Sequence, residues 1–145
     1  MQPEPIAIIA KQFPKVVIPL VDAAQHSIRV LAFDWRFYPT QPGNPVSLFN
    51  MAIARAAVRG VQIRALVNND AIVQALKKQG SDAKRLHSTK MLHSKLLIFD
   101  DTKVVIGSHN LTQHAFLMNE EASVLCEMAA ADNEFSRYFD NLFGV

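Results

Sequence analysis

The sequence predicts an α/β fold in which helices flank a central mixed β-sheet. Residues 28–33 form a dense apolar run in which Arg29 is the only charge, as is typical of a buried strand. Residues 61–67 alternate apolar and polar side chains, which indicates a second strand. The segment between these strands is amphipathic with a helical period, so the chain alternates strand and helix and should form a layered domain.

The helix between those two strands carries sequence signals at both ends. Asn44 is a favourable N-cap, and Pro45 suits the first helical position. Gly60 follows the last basic residue and marks the helix end. Residues 38–44, which contain two prolines and a glycine, are predicted to be a loop. The apolar face of the helix consists of Phe49, Ala52, Ile53, Ala56 and Ala57.

Other segments complete the predicted sheet and its helices. Residues 95–99, 104–106 and 122–126 are apolar and strand-like, and the polar turn residues between the first two indicate a hairpin. Residues 132–143 have an amphipathic pattern that predicts a closing helix. Shorter helices are expected to end near residue 25 and to span residues 71–78. The expected architecture is therefore one α/β domain built on a mixed sheet.

Length and composition exclude several classes of protein. A chain of 145 residues, half of them hydrophobic and 19% charged, is expected to form one globular domain covering residues 1–145. The net charge of +2 is too small to indicate a polyanion partner by itself. Cys126 is the only cysteine, which excludes an internal disulfide framework and a multi-cysteine zinc site. It lies in an apolar run and is predicted to be an inert strand residue.

The N-terminal segment lacks the features of a signal peptide. It has no basic stretch, and the apolar run at residues 6–10 is interrupted by Lys11 and Pro14, so it predicts neither a signal peptide nor a membrane span. We expect a cytoplasmic protein without stable membrane association. A leader removed by processing, or secretion, stays open as an alternative.

A cluster of polar residues brackets the predicted hairpin. His93 and Lys95 are two residues apart at the head of a strand, so their side chains should leave the same face. If the turn is centred between residues 101 and 102, Lys95 lies opposite Ser108 and His93 lies opposite Asn110. A turn with an odd number of residues would shift this register by one.

Such a cluster suits the chemistry of a phosphodiester. Lys95 offers a compact positive charge to the phosphate oxygens, and Ser108 and Asn110 add neutral hydrogen-bond donors. Gly107 would let the backbone approach the substrate closely. His93 can attack phosphorus as a neutral base or donate a proton near neutral pH.

These residues also resemble a known signature. Their spacing matches the HxKxxxxD…GSxN pattern of the phospholipase D superfamily at His93, Lys95, Asp100, Gly107, Ser108 and Asn110. The resemblance implies that His93 is the nucleophile, through a phosphohistidine intermediate, and that Lys95 and Asn110 hold the phosphate without a metal or other cofactor. It implies a mainly structural role for Asp100. The coarse order of strands and helices is similar as well.

The resemblance extends to the compact bacterial endonucleases of that superfamily. These place a glutamate eleven residues after the motif asparagine to orient the nucleophilic histidine, which corresponds to Glu121 here, with Glu120 as the alternative. His109 occupies the variable position of the motif, and the sequence gives it no role. The chemistry needs a second histidine as general acid, but the chain contains one motif. We therefore expect a C2 homodimer with a composite site at its axis.

The substrate follows less directly from the sequence. The resemblance favours a hydrolase of DNA or RNA, and it leaves open which of the two and whether single or double strands are cleaved. One alternative is a phospholipid phosphodiesterase of the cardiolipin type, and another is an inactive nucleic-acid-binding module. The basic residues Lys84, Arg85, Lys90 and Lys95 could form a polyanion track or an ordinary solvated surface.

Two further groups of residues have competing interpretations. Trp35, Phe37 and Tyr38 could stack on unpaired bases, but a place in the core or a dimer interface is favoured. The histidines could pair as His87 with His93, or His109 with His114, to bind zinc. No carboxylate or further histidine falls at a familiar ligand spacing, so we predict no metal site.

Overall fold

The computed structural model describes residues 3–86 and 90–144, and within them four α-helices cover one seven-stranded sheet. The strands are β1 (Ile6–Ile9), β2 (Ser27–Leu31), β3 (Gln62–Val67), β4 (Asp82–Arg85), β5 (Leu96–Phe99), β6 (Lys103–Gly107) and β7 (Ala122–Glu127). The helices are α1 (Phe13–Ala23), α2 (Pro45–Val58), α3 (Asp70–Lys78) and α4 (Glu134–Phe143).

The sheet is mixed, as the sequence predicts. Its strand order is β1-β7-β6-β5-β2-β3-β4. Strands β2, β3 and β4 run parallel, because helices connect them, whereas β5, β6, β7 and β1 pair antiparallel and β5 joins the two halves by an antiparallel pairing with β2. The end of β5 that carries the motif histidine therefore lies beside the carboxyl ends of the parallel strands.

Both faces of the sheet are covered. On one face, α1 and α2 bury apolar side chains that include Val17, Phe49 and Ile53. On the other face, α4 buries Phe139 and Phe143 against a second cluster of sheet residues. Each fully buried side chain of this size contributes roughly 1.5–3 kcal/mol by leaving water, so the two clusters fix β5 firmly from both sides.

The sequence signals of α2 are confirmed. Asn44 Oδ1 accepts a hydrogen bond from the Val46 backbone N–H at 3.0 Å, which satisfies one of the unpaired donors at the helix start. Gly60 has φ of +93°, a left-handed conformation that costs glycine little. The predicted loop at residues 38–44 precedes this helix.

The predicted register of the β5–β6 hairpin is wrong by one residue. The ladder pairs Leu96 with Ile106 and Phe99 with Lys103, so the turn has three residues. Asp100 and Asp101 occupy this turn with φ of +53° and +60°. Aspartate tolerates the left-handed region better than most residues, which permits the odd-numbered turn.

This register changes the predicted neighbour of the motif lysine. Lys95 lies opposite Gly107 and not Ser108, and the Gly107 N–H points at the Lys95 carbonyl with an N···O distance of 3.4 Å.

The two edge strands have no clear signal in the sequence. Within β1 only Ile8 is buried, and within β4 only Ala83 is, because each strand has a neighbour on one side only. The charged residues of β4 suit an exposed edge, since charge discourages pairing with another sheet. Alternation over four residues with one buried member is too short a pattern to distinguish from a loop.

Trp35 and Cys126 occupy the positions that the sequence predicts, in the core and on a strand. Trp35 is buried, and its indole N–H donates to Asn50 Oδ1 at 2.7 Å, which confirms the core interpretation for this residue. Cys126 is half-buried on β7. Within the described ranges, the helices are all too short or too polar to span a membrane.

Candidate active site

His93 and Lys95 lie at the amino end of β5. Lys95 directly precedes the first residue of the strand, and His93 lies two residues earlier. The imidazole of His93 is exposed and the Lys95 side chain is half-buried. Lys95 Nζ is 3.4 Å from His93 Nδ1, so the two side chains share one face as their spacing predicts. An ammonium beside an exposed imidazole is an arrangement that can receive an anion and react with it.

Phe33 is a third member of this group, and the sequence reasoning missed it. Its ring centroid is 5.4 Å from that of His93, and Lys95 Nζ is 5.5 Å from the Phe33 centroid, within the range of a cation–π contact. Phe33 follows β2 by two residues, and β2 is the neighbour of β5. The sequence signal that could have identified it is an aromatic residue at the carboxyl end of the predicted strand 28–33.

Asn110 is held beside the same segment of chain. Its side-chain Oδ1 accepts a hydrogen bond from the Asp34 backbone N–H at 3.2 Å. The Leu111 N–H donates to the Asp34 carbonyl at 3.0 Å, and Leu111 forms a bridge with Trp35. Because Asp34 follows Phe33 directly, these bonds hold Asn110 against the chain segment that continues from Phe33.

Asp100 lies at the opposite end of β5 from His93. Its carboxylate accepts hydrogen bonds from the backbone N–H groups of Gln25, His26 and Ser27 at 2.7–3.2 Å. Burial alone would raise the pKa of Asp100, but these N–H donors favour the ionised form and the net pKa lies below its ordinary value. Asp100 therefore joins the hairpin turn to the start of β2.

Gly107 is required by the packing of β6 on β7. A Cβ atom placed on Gly107 would lie 2.2 Å from Ser123 Oγ and 2.4 Å from Ser123 Cα, which no rearrangement of a side chain alone would relieve. The sequence predicts that this glycine admits a substrate to the backbone. In the structure, glycine is needed at this position because a side chain would overlap Ser123 on the neighbouring strand β7.

Ser108 and Glu121 contact each other. Ser108 Oγ donates to Glu121 Oε1 at 2.5 Å and accepts from the Ala122 N–H at 3.0 Å, while Asn119 Nδ2 donates to Glu121 Oε2 at 3.0 Å. These bonds engage both carboxylate oxygens, and the described contacts of Glu121 do not include His93. The expected orientation of His93 by Glu121 stays a prediction. So does phosphate binding by Ser108, whose one hydroxyl proton points at Glu121.

His109 is a structural residue in the middle of the motif. Its Nε2–H donates to the Ala10 carbonyl at 2.8 Å, its Nδ1 accepts from Ser123 Oγ at 2.7 Å, and its ring stacks on Phe13 at 4.3 Å. Burial lowers the pKa of His109, and the Ala10 carbonyl and the Glu121 charge only partly oppose this. With both nitrogens engaged, His109 cannot form the zinc pair considered with His114.

The basic residues near the motif do not form one continuous track. Lys84 Nζ donates to the Phe143 carbonyl at 2.8 Å and lies 4.2 Å from the Phe143 ring centroid, so this lysine caps α4. Arg85 forms an ion pair with Asp70 at 3.2 Å and remains half exposed. Arg85 and Lys90 line a pocket that also includes Phe33. The track interpretation therefore fails for Lys84 and stays open for the others.

The described residues do not bring together the side chains that a metal ion needs. Within residues 3–86 and 90–144, no three His, Cys, Asp or Glu side chains come together as a group that could hold a metal ion. His87, which the sequence offered as a zinc partner of His93, lies outside the described residues.

Most of the chain matches the profile of a known protein family. The profile described as "Cardiolipin synthase, PLD-like domain" matches residues 17–143, which include every residue of the motif. The chain belongs to the phospholipase D superfamily. Members of this superfamily are phosphodiesterases.

Individual relatives agree with this assignment. A curated relative, the phospholipase D of Rickettsia prowazekii (strain Madrid E), is 28% identical over 123 residues, and the match spans 78% of this chain but only 54% of that protein. Among solved structures, Nuc from Salmonella typhimurium superposes with a TM-score of 0.79 and 21% identity, covering 97% of this chain and 95% of that one. NucT from Helicobacter pylori superposes with a TM-score of 0.77 and 16% identity, covering 97% and 96%. At these identities the two structures support the fold alone.

Proposed function

We propose that this chain is a metal-independent hydrolase of phosphodiester bonds in nucleic acid, with His93 as nucleophile and two copies of the chain completing each site. The observation that carries the proposal is the exposed imidazole of His93 beside the ammonium of Lys95 at one edge of the sheet. Membership of a superfamily of phosphodiesterases supports it. The ammonium attracts the phosphate, and the imidazole is accessible to attack it.

The reaction divides into two displacements at phosphorus. First, an unprotonated ring nitrogen of His93 attacks, a P–N bond forms, and the P–O bond to the leaving nucleoside breaks. The leaving oxygen takes a proton from a second histidine on the opposite side of the phosphate. Then water attacks phosphorus, gives a proton back to that histidine, and the P–N bond breaks. Histidine suits both tasks because its ordinary pKa lies near neutral pH.

Lys95 and Asn110 stabilise the charge on the phosphate oxygens during both steps. Lys95 provides a positive charge, which opposes the negative charge of the five-coordinate phosphorus centre. Asn110 provides a neutral amide N–H donor whose direction is fixed by the bond between its oxygen and the Asp34 N–H. Ser108 would join them by turning its hydroxyl proton from Glu121 to the phosphate. Glu121 would orient His93 once substrate or a second copy is bound.

A second copy of the chain would supply the second histidine. The sequence contains one His-x-Lys motif, so the general acid in this proposal is the partner subunit's His93. A two-fold axis places the two rings opposite each other across one phosphate. Exposed apolar side chains close to His93 or Glu121 in the sequence, namely Met91, Leu117 and Met118, suit such an interface.

Two measurements test the composite site. Sedimentation at the assay concentration should give a dimer, and a fully active monomer would rule the composite site out. Mixing wild type with His93→Ala should form heterodimers that lose at least one of the two chemical steps. Full activity per wild-type subunit in these mixtures would show that the sites are not shared.

Nucleic acid is the favoured substrate for two reasons. The motif resembles that of the compact bacterial endonucleases. Arg85, Lys90 and Lys95 also place positive charge near the site, which suits a polyanion.

A phospholipid is the second candidate substrate. The observation that favours it is the description of the matching family profile as a cardiolipin synthase domain, together with a curated relative named phospholipase D. A phospholipid presents the same phosphodiester group to His93 and Lys95, so the arrangement of these side chains does not separate the two substrates.

One assay separates these candidates. The protein is incubated with single-stranded DNA, double-stranded DNA, RNA and cardiolipin-containing vesicles, each with and without EDTA, and His93→Ala serves as control. We expect cleavage of nucleic acid that is unaffected by EDTA and absent in the control. Cleavage of lipid alone would favour the phospholipid candidate, and binding of nucleic acid without cleavage would indicate an inactive module. Loss of all activity in EDTA would contradict the metal-independent mechanism.

A further inference from the structure

A pocket opens at the carboxyl ends of the three parallel strands, directly beside the site. Phe33 follows β2, Asn68 follows β3, and Arg85 is the last residue of β4, so all three lie at one edge of the sheet. The chain at Met91 and Leu92, just before β5, forms the facing side. The pocket has a volume of about 360 Å³. Crevices at this edge of parallel sheets commonly bind ligands, because the loops that follow the strands converge there.

The side chains that line this pocket combine four kinds of chemistry. Phe33 offers an aromatic ring for stacking, and the Asn68 amide offers both a hydrogen-bond donor and an acceptor. Arg85 offers a planar cation that can stack on a ring or approach a phosphate, and its ion pair with Asp70 limits its movement. Met91 and Leu92 add apolar surface. A flat ligand with polar edges and an attached phosphate satisfies all of these groups together.

Phe33 connects the pocket to the proposed chemistry. The same ring that lines the pocket lies 5.4 Å from the His93 ring and 5.5 Å from Lys95 Nζ. A phosphate held by Lys95 is therefore next to whatever occupies the pocket. In a nucleic acid, the group attached next to the scissile phosphate is a nucleoside.

We propose that this pocket binds one unpaired nucleobase adjacent to the scissile phosphate and so makes single-stranded nucleic acid the preferred substrate. The inference rests on the proposed nuclease function and adds a substrate class and a specificity residue, Phe33, to it. A base within a duplex is stacked and paired, and it must leave the helix before it can enter a pocket. A base in a single strand enters without that cost and can stack on the aromatic ring.

The experiment compares an intact single strand with the same strand carrying abasic tetrahydrofuran residues, and with its duplex. Affinities are measured by fluorescence anisotropy at one salt concentration in the His93→Ala background, which prevents cleavage. The intact strand should bind about tenfold or more tightly than the abasic strand, since stacking on an aromatic contributes on this scale. Cleavage rates of the three substrates are measured in parallel with His93 intact.

Substitutions at Phe33 identify the pocket as the source of the difference. Phe33→Leu keeps apolar bulk but removes the ring, so it should abolish most of the intact-to-abasic ratio, while Phe33→Tyr should retain it. Phe37→Leu is a matched control, because Phe37 is also a half-buried phenylalanine but packs against the core beside Trp35 and lies outside this pocket. A change in overall rate alone would reflect the contact of Phe33 with His93, so the ratio is the informative quantity.

The outcomes separate the pocket from the nuclease function. Equal affinity for intact and abasic strands, or a ratio unchanged in Phe33→Leu, would overturn the pocket, while cleavage of both strands would leave the proposed function standing. Base-dependent binding without any cleavage by the wild type would overturn the nuclease function and support the pocket. Preference for the duplex over the single strand would also overturn the pocket.

Discussion

The motif residues at the amino end of β5 are accessible to solvent, whereas the motif aspartate at its carboxyl end is held by hydrogen bonds. At the amino end, His93 is exposed and lies 3.4 Å from Lys95. At the carboxyl end, Asp100 accepts hydrogen bonds from three successive backbone N–H groups. Arg29 bridges the adjacent Asp101 and Asp140 of α4. We call the amino end, where the chemistry is proposed, the reactive end and the carboxyl end the anchoring end. Substitutions at the two ends should have different effects.

The largest effect is expected at the reactive end. His93→Ala should lower kcat by at least about a thousandfold, because a nucleophile has no substitute in the site. The free energy of unfolding should stay nearly unchanged, since the ring is exposed. His93→Gln tests the same point with a polar side chain of similar length. Retention of more than a few per cent of activity in either variant would assign the chemistry to another residue.

Lys95→Ala should lower kcat and raise KM together, by roughly 100-fold or more in kcat/KM. The ammonium meets negative charge on the bound substrate and on the transition state alike, so both parameters should change. Lys78→Ala is a matched control at an exposed lysine on α3. If steady-state kinetics show an unchanged KM with a normal rate for Lys95→Ala, the phosphate is held by other groups.

At the centre of the motif, Gly107→Ala should destabilise the fold by about 2–4 kcal/mol, because the new methyl group overlaps the β7 backbone at Ser123. Urea unfolding measures this. Gly43→Ala is the control, since a Cβ there meets no atom within 4 Å. Equal stability of the two variants would mean that β6 and β7 can separate without cost.

A substitution at the anchoring end should lower the free energy of unfolding and change how it depends on pH in acid. The pKa of Asp100 is lowered in the folded state, so its contribution is present above its unfolded value, near 3.8, and is lost as pH falls through the folded pKa. Asp100→Asn should cost about 1–3 kcal/mol at neutral pH and should weaken the loss of stability below about pH 4. Urea unfolding from pH 7 to pH 2 tests this. An acid dependence identical to the wild type would assign that loss to other carboxylates.

A smaller effect of the same sign concerns His109, the buried histidine of the motif. Burial lowers the pKa of His109, so its contribution to stability is present above about pH 6.5 and declines as pH falls toward the folded pKa. His109→Gln should therefore reduce the pH dependence of the free energy of unfolding below about pH 6.5. A wild-type profile in His109→Gln would show that His109 does not titrate on unfolding.

Most of the fold could be predicted from the sequence, and the failures have identifiable causes. The buried strands, α2 and its caps are encoded in local patterns that burial enforces. The hairpin register could not be read from those patterns, because it depends on Asp100 and Asp101 adopting left-handed conformations that the carboxylate contacts of Asp100 with β2 help to hold. The edge strands β1 and β4 bury too little to show a pattern.

The candidate site likewise has features that could be predicted from the sequence and features that could not. The proximity of His93 and Lys95 follows from a spacing of two along an extended chain. The contacts of Phe33 and His109 could not be predicted, because they join residues far apart in the sequence. Phe33 contacts His93 and Lys95, and His109 contacts Ala10. The contact between Ser108 and Glu121 also spans a loop whose path the sequence does not specify.

Detection of the covalent intermediate tests the central claim most directly. Wild-type protein is mixed with a short single-stranded oligonucleotide under single-turnover conditions, denatured rapidly at alkaline pH, where phosphohistidine persists, and analysed by intact mass and peptide mapping. The account predicts a transient adduct with the mass of the transferred phosphoryl fragment, attached to His93 and absent from His93→Ala. An active enzyme that forms no adduct, or one whose adduct maps to another residue, would contradict it.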